Sequence, residues 1–217
     1  MSKEVKKKKK KKFGKFILFL FILLIAGGLI YFAIKPNNKT KNEQKKVVDT
    51  IDNFEYTVSE NATKLFKSEF KKLKNELSKD EINNEEYASL VSKLFIIDFF
   101  TLDNKATKNE VGGVQFVYDN YRKTFIDKAR DEFYKYVRNN LNNDRTQKLP
   151  VVSSIEVTSC EKKEASSLLK GDEFSQIDEA YEVNLTWEYE EDLGYQKTGK
   201  VVIIKNNDKL VVAKLSN

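Results

Sequence analysis

Between residues 59 and 141 apolar residues recur every three or four positions, and after Pro150 they recur every second position, so helices are expected first and strands after them. Ser59 is the expected N-cap of a first helix that places Ala62, Leu65, Phe66, Phe70, Leu73 and Leu77 on one face, with Lys64, Lys67, Lys71 and Lys74 pointing away. A second helix from about Asn84 buries Tyr87, Leu90, Val91, Leu94, Phe95 and Leu102. A third, from about Val114 to Leu141, carries Tyr118, Tyr121, Phe125, Ala129, Phe133 and Val137 at helical spacing. Past Pro150, residues 151–160 put Val151, Ile155 and Val157 on one side of a strand and Cys160 on its more polar side. Residues 180–190 alternate Tyr181, Val183, Leu185, Trp187 and Tyr189 with Glu182, Asn184, Thr186, Glu188 and Glu190. GKVVIIK (199–205) and KLVVAKL (209–215) flank Asn206-Asn207-Asp208, a hairpin-turn sequence. The segment 161–178 between the first two strands reads as a long loop or a carrier of a short helix.

Ahead of this region the pattern is different. Residues 16–34 contain no charge and span about 28 Å as a helix at ~1.5 Å per residue, the thickness of a bilayer's hydrocarbon core. Phe16, Leu20, Leu24, Ile30 and Ile34 mark this expected membrane anchor. A cleaved secretory signal is an alternative, because Ala26, Gly27 and Gly28 are small, but the apolar run continues past them to Ile34. A buried helix of a soluble protein is a second alternative, and would normally show polar relief over this length.

Charge sets the orientation. Residues 1–15 hold nine lysines and one glutamate, including the block Lys6, Lys7, Lys8, Lys9, Lys10, Lys11 and Lys12, whereas the rest of the chain carries 30 basic and 32 acidic residues. By the positive-inside rule the lysine tail is cytoplasmic and residues 35–217 lie outside, with a weaker opposing cluster at Lys35, Lys39, Lys41, Lys45 and Lys46. The tail is then a topology determinant and a partner for anionic lipid headgroups, at about 1 kcal/mol per lysine before screening. Nucleic-acid binding is not expected, because the basic excess is a homopolymer rather than a folded stripe with interleaved aromatics, and only Arg122, Arg130, Arg138 and Arg145 are arginines. The expected organisation is a tail (1–15), a span (16–34), a polar stalk (35–58) with weak helical spacing at Val47, Val48, Ile51 and Phe54, and an outer domain (59–217).

The fold class this implies is α+β: an N-terminal transmembrane helix, then about three helices packed on a curved four-stranded antiparallel sheet that keeps one wet face. A helix-first, meander-last order behind a single span resembles the cone-shaped nuclear-transport-factor-2-like superfamily, in particular its extracytoplasmic members in type IV secretion and conjugation machines. The resemblance covers roughly residues 59–217 and rests on element order; the Asn-Pro-containing signature of the secretion scaffolds is absent, and no family residue carries over. It implies a scaffold or binding domain.

Candidate chemistry is sparse. The chain has no histidine, which removes histidine-based triads and most catalytic zinc sites, and one cysteine, which excludes an internal disulfide and a CxxC knuckle. No cofactor and no metal are expected. Asp98, in LFIIDFF, falls in line with Val91, Leu94 and Leu102 and is a possible pocket acid; the competing reading is a structural carboxylate bonded to a backbone amide or paired with Lys123 or Arg122. Gly112-Gly113 permits close backbone approach, either to a ligand or at a bend, with Thr107 and Glu110 spaced as a capping box. In WEYEEDLGYQ, Glu188, Tyr189, Glu190, Asp192 and Tyr195 form an expected partner surface, against the alternative of a solvated edge. The function these readings imply is a single-pass, membrane-anchored binding or scaffold protein with membrane or cell-surface protein partners. An extracytoplasmic pocket enzyme of the isomerase or dehydratase type, using Asp98, is the alternative.

Overall fold

The computed structural model describes residues 46–216. The expected tail and span, with Lys6 to Lys12 and Phe16 to Ile34, lie outside the described residues. Among the described residues no helix is long and apolar enough to cross a membrane.

Residues 47–59 are not a helical stalk. Val47–Ile51 (β1) and Tyr56–Ser59 (β2) form an antiparallel hairpin closed by a 3-10 turn, with Glu55 in the left-handed region at φ 54°. Four of the five residues Val47-Val48-Asp49-Thr50-Ile51 are β-branched and suit a strand, and pairing satisfies its backbone without a helical partner. Tyr56 and Val58 are buried in the main core, so the folded body begins earlier than the sequence pattern indicates. The Gln115 side-chain amide stands in for a third strand, accepting from the Thr57 N–H at 2.9 Å and donating to its carbonyl at 3.1 Å.

Helix α1 (Lys64–Leu77) is capped one turn later than Ser59 suggests. Thr63 is the N-cap, its Oγ1 accepting from the Phe66 N–H at 3.1 Å, while the Ser59 hydroxyl donates to Asn61 Oδ1. The expected apolar face is retained, with Phe66, Phe70 and Leu73 fully buried. Helix α2 (Asn84–Phe100) starts at Asn83, whose side chain accepts from the Glu85 and Glu86 N–H groups. It is buried on nearly every side along its last four turns, packing against α1 and the sheet.

The expected third helix is broken. A 3-10 turn at Val114–Phe116 precedes α3 (Asp119–Asp131), and the chain then runs irregularly to Pro150. Only Ala129 of α3 is fully buried. Beyond it, Phe133, Tyr134 and Val137 still meet the core, but from a loop. Tyr134 anchors that loop: its hydroxyl donates to the Phe99 carbonyl at 2.7 Å and accepts from the Gly112 N–H at 3.0 Å, contacts that a continued helix would forgo.

The sheet is an antiparallel meander of β3 (Val152–Glu164), β4 (Glu179–Tyr189), β5 (Thr198–Asn206) and β6 (Lys209–Ser216). The β5–β6 hairpin turns through Asn207 and Asp208, with Asn207 at φ 56°, where asparagine is tolerated. Val183, Leu185, Trp187, Val201 and Ile203 face the helices; Trp187 is 2% exposed, its ring 4.9 Å from that of Phe100. The opposite face is not wholly wet. The β3–β4 connection, with the short helix α4 (Ala165–Leu168) and a 3-10 turn at Asp172–Phe174, folds over it and buries Ala180, Val202, Ile204 and Val211 under Leu169 and Phe174.

Strand β3 is longer than expected and twice bulged, at Ser153 and Thr158. The second bulge inverts the alternation, so Cys160 pairs with Val183 on the helix side rather than lying on the polar face. Its thiol is half-buried and lies 3.5 Å from the Glu85 carbonyl, and burial pushes its pKa up.

Candidate functional site

Asp98 lies in the last turn of α2, where the helix meets the returning loop 101–118. Its side chain is 26% exposed, and both carboxylate oxygens are engaged: Oδ1 lies 2.5 Å from Lys105 Nζ, and Oδ2 accepts from the Gly113 N–H at 2.7 Å. The backbone-amide partner fits the structural reading of this acid. The cationic partner is different from either residue the sequence suggests, since Arg122 pairs with Asp119 and Lys123 with Asp127. Lys105 is 2% exposed, and its own turn brings it back over the carboxylate.

The two glycines are what let the loop come this close. A Cβ on Gly112 would overlap the Asp98 carbonyl, and one on Gly113, at φ +76°, would stand 2.8 Å from the Phe95 ring. Close packing of chain on chain, not a ligand, therefore uses the pair. The expected capping box at Thr107 and Glu110 is rearranged: Thr107 Oγ1 accepts from the Asn109 N–H, and the Glu110 carboxylate accepts from Ala106. Tyr134 completes the cluster. Burial, followed by the nearby Asp98 charge, raises its hydroxyl pKa far above the ordinary value, so it acts as a neutral donor and acceptor.

Beside Asp98 a cleft of about 80 Å³ is lined by Thr57, Ser59, Thr63, Asp98, Asn104 and Gln115. It has room for two or three waters at ~30 Å³ each, well below the ~300–1,000 Å³ of typical ligand pockets. The hydroxyl and amide groups around it suit ordered water or a very small polar molecule.

The expected partner surface is divided by the strand's own alternation. Tyr189 is 8% exposed; its hydroxyl accepts from Trp187 Nε1 at 2.9 Å and donates to the Gln196 carbonyl at 2.8 Å. Burial pushes its pKa up to about 12. Tyr195 is half-buried against the Tyr189 and Phe133 rings. The acids face solvent: Lys197 lies 3.0 Å from both Glu188 and Asp192, Lys148 meets Glu191, and Glu190 is exposed. The aromatics thus support the fold and leave an acidic turn at the surface. Next to it an open depression of about 490 Å³ crosses β3 and β4, between Ser154, Glu156, Thr186 and Glu188.

Two buried cationic side chains escape the sequence pattern. Lys105 and Arg145 sit in irregular segments with no periodicity, yet both side chains are 2% exposed. The Arg145 guanidinium holds three turns together through the carbonyls of Asp103, Lys105 and Arg138. Among the described residues no group of three or more His, Cys, Asp or Glu side chains could hold a metal ion. No known protein family, characterised protein or solved structure matches the chain.

Proposed function

We propose that the chain is a single-pass, membrane-anchored scaffold whose folded domain is held outside the cytoplasmic membrane to bind other membrane or cell-surface proteins. The observation that carries this reading is the 19-residue uncharged run behind a block of lysines, with only twelve residues between it and a compact α+β domain. The surroundings of Asp98 favour a scaffold over the pocket-enzyme alternative, because its oxygens are engaged by Lys105 and Gly113 and the adjoining cleft is small. The helix-then-meander order agrees with a cone-shaped, nuclear-transport-factor-2-like scaffold of a secretion or conjugation machine. The exposed acids Glu188, Glu190 and Asp192 would form its binding surface.

Two measurements test it. Intact cells treated with a membrane-impermeant maleimide should yield labelled Cys160 after mild denaturation and leave a Ser2→Cys label site untouched; labelling at position 2 would reverse the orientation. Charge reversal of Glu188, Glu190 and Asp192 should weaken co-purification of membrane partners while moving stability by no more than about 1 kcal/mol. Unchanged partner recovery would remove this surface from the proposal.

A further inference from the structure

The outward face of α1 is basic in a domain that is not. Lys64, Lys67, Lys71, Lys72 and Lys74 are all exposed along it, and Lys46, at the start of the described chain, is exposed beside them. Among the carboxylates near it are Asp49, Glu60, Glu69 and Glu76; Glu69 is buried beside Lys72 and Lys93, and Glu76 is buried and paired with Lys79. Hydrogen bonds fix where this face lies. Lys67 Nζ donates to the Glu60 carbonyl, whose own N–H donates to the Lys46 carbonyl, and Lys74 pairs with Asp49 of β1 at 2.5 Å. The lysine row therefore flanks the point at which the chain enters the domain. At the same point Val47 and Val48 are each 50% exposed, two of the few large apolar side chains left on the surface.

We propose that this face, the α1 lysines with the β1 valines, docks the domain onto anionic lipid headgroups of the bilayer that anchors it. The inference rests on the anchored reading above and adds an orientation to it. The twelve residues 35–46 can extend at most about 40 Å at ~3.3–3.6 Å per residue, so β1 stays near the membrane whatever the rest of the domain does. Tethering keeps the headgroups at high effective concentration, and a basic face with a small apolar insert is what an anionic interface retains. Each lysine near such a surface contributes about fivefold in partitioning. The occupant is lipid rather than nucleic acid, because α1 interleaves no exposed aromatic or arginine among its lysines.

The test uses the full chain with Cys160→Ser and a donor fluorophore on Ser68→Cys, reconstituted in nanodiscs with a headgroup-labelled acceptor lipid. Ser68 is exposed between the lysines. Energy transfer should be higher in phosphatidylcholine mixed with phosphatidylglycerol than in phosphatidylcholine alone, and the difference should vanish near 1 M salt, where the screening length is about 3 Å. Lys64→Glu, Lys67→Glu and Lys71→Glu together should lower the docked-to-undocked ratio by at least about a hundredfold, with Trp187 emission unchanged as the control for folding. Equal transfer in both lipids, or no effect of the triple reversal, overturns the docking while leaving the anchor standing. Capture by soluble polyphosphate without dependence on lipid composition reassigns the face to a free polyanion and overturns it too. A chain that leaves the bilayer on alkaline washing overturns the anchor, and the docking with it.

Discussion

Replacing Asp98 by asparagine tests whether this acid holds the fold or performs chemistry. The substitution keeps the shape and leaves Oδ able to accept from the Gly113 N–H, but it takes a carboxylate away from the ammonium of Lys105, which is 2% exposed. Removing one partner of a buried ion pair costs about 3–5 kcal/mol; the 26% exposure of Asp98 lets water screen part of the loss, so about 2–3 kcal/mol is expected. Lys105→Met should restore part of this in the double variant, because no charge then remains to be buried, and the two effects should fall short of additivity by about 1–2 kcal/mol. Urea unfolding of the full chain, followed by emission from Trp187, the only tryptophan, reads all four corners of the cycle. Additive effects, or an Asp98→Asn protein within ~0.5 kcal/mol of the parent, would refute the structural role. If that stable variant also failed in cells, the pocket-enzyme alternative would be favoured.

Three further outcomes are expected. Gly113→Ala should cost about 2–4 kcal/mol in the same unfolding assay, combining a left-handed backbone with a contact against Phe95; a loss below ~1 kcal/mol would show that the loop relaxes freely. Trp187→Ala should cost about 3–5 kcal/mol, measured by thermal unfolding in circular dichroism, and a negligible loss would mean that the helix-facing side of β4 is misassigned. Glu76 is held below the ordinary carboxylate range by Lys79 and the Asn83 N–H, so it adds stability above the unfolded carboxyl's pKa near 4.5 and loses it as pH falls through the lower folded value; Glu76→Gln should flatten the acid limb of a pH–stability profile, and parallel profiles would count against that linkage.

Periodicity alone determined the parts of this protein in which burial is one-sided. The apolar face of α1 and the alternation over most of β4 follow from apolar spacing, because each hides mainly one face there. The β5–β6 hairpin follows from its apolar runs and turn residues, although both its faces are partly covered. Sequence could not find the breaks in those patterns, which depend on partners distant along the chain. The spacing of Phe133 and Val137 continues a helix that Tyr134 ends, for the sake of hydrogen bonds to Phe99 and Gly112. Cys160 changes face because of a bulge at Thr158 that no local signal announces. Residues 47–59 read as a stalk because their two strands are too short to show a period, and the Gln115 amide and the core that receives Tyr56 and Val58 lie elsewhere in the chain. At the candidate site, the position of Asp98 on an apolar helix face was legible; that its counter-charge is Lys105, in an irregular loop, was decided by tertiary structure, since only folding brings an aperiodic lysine and a glycine amide onto the same carboxylate.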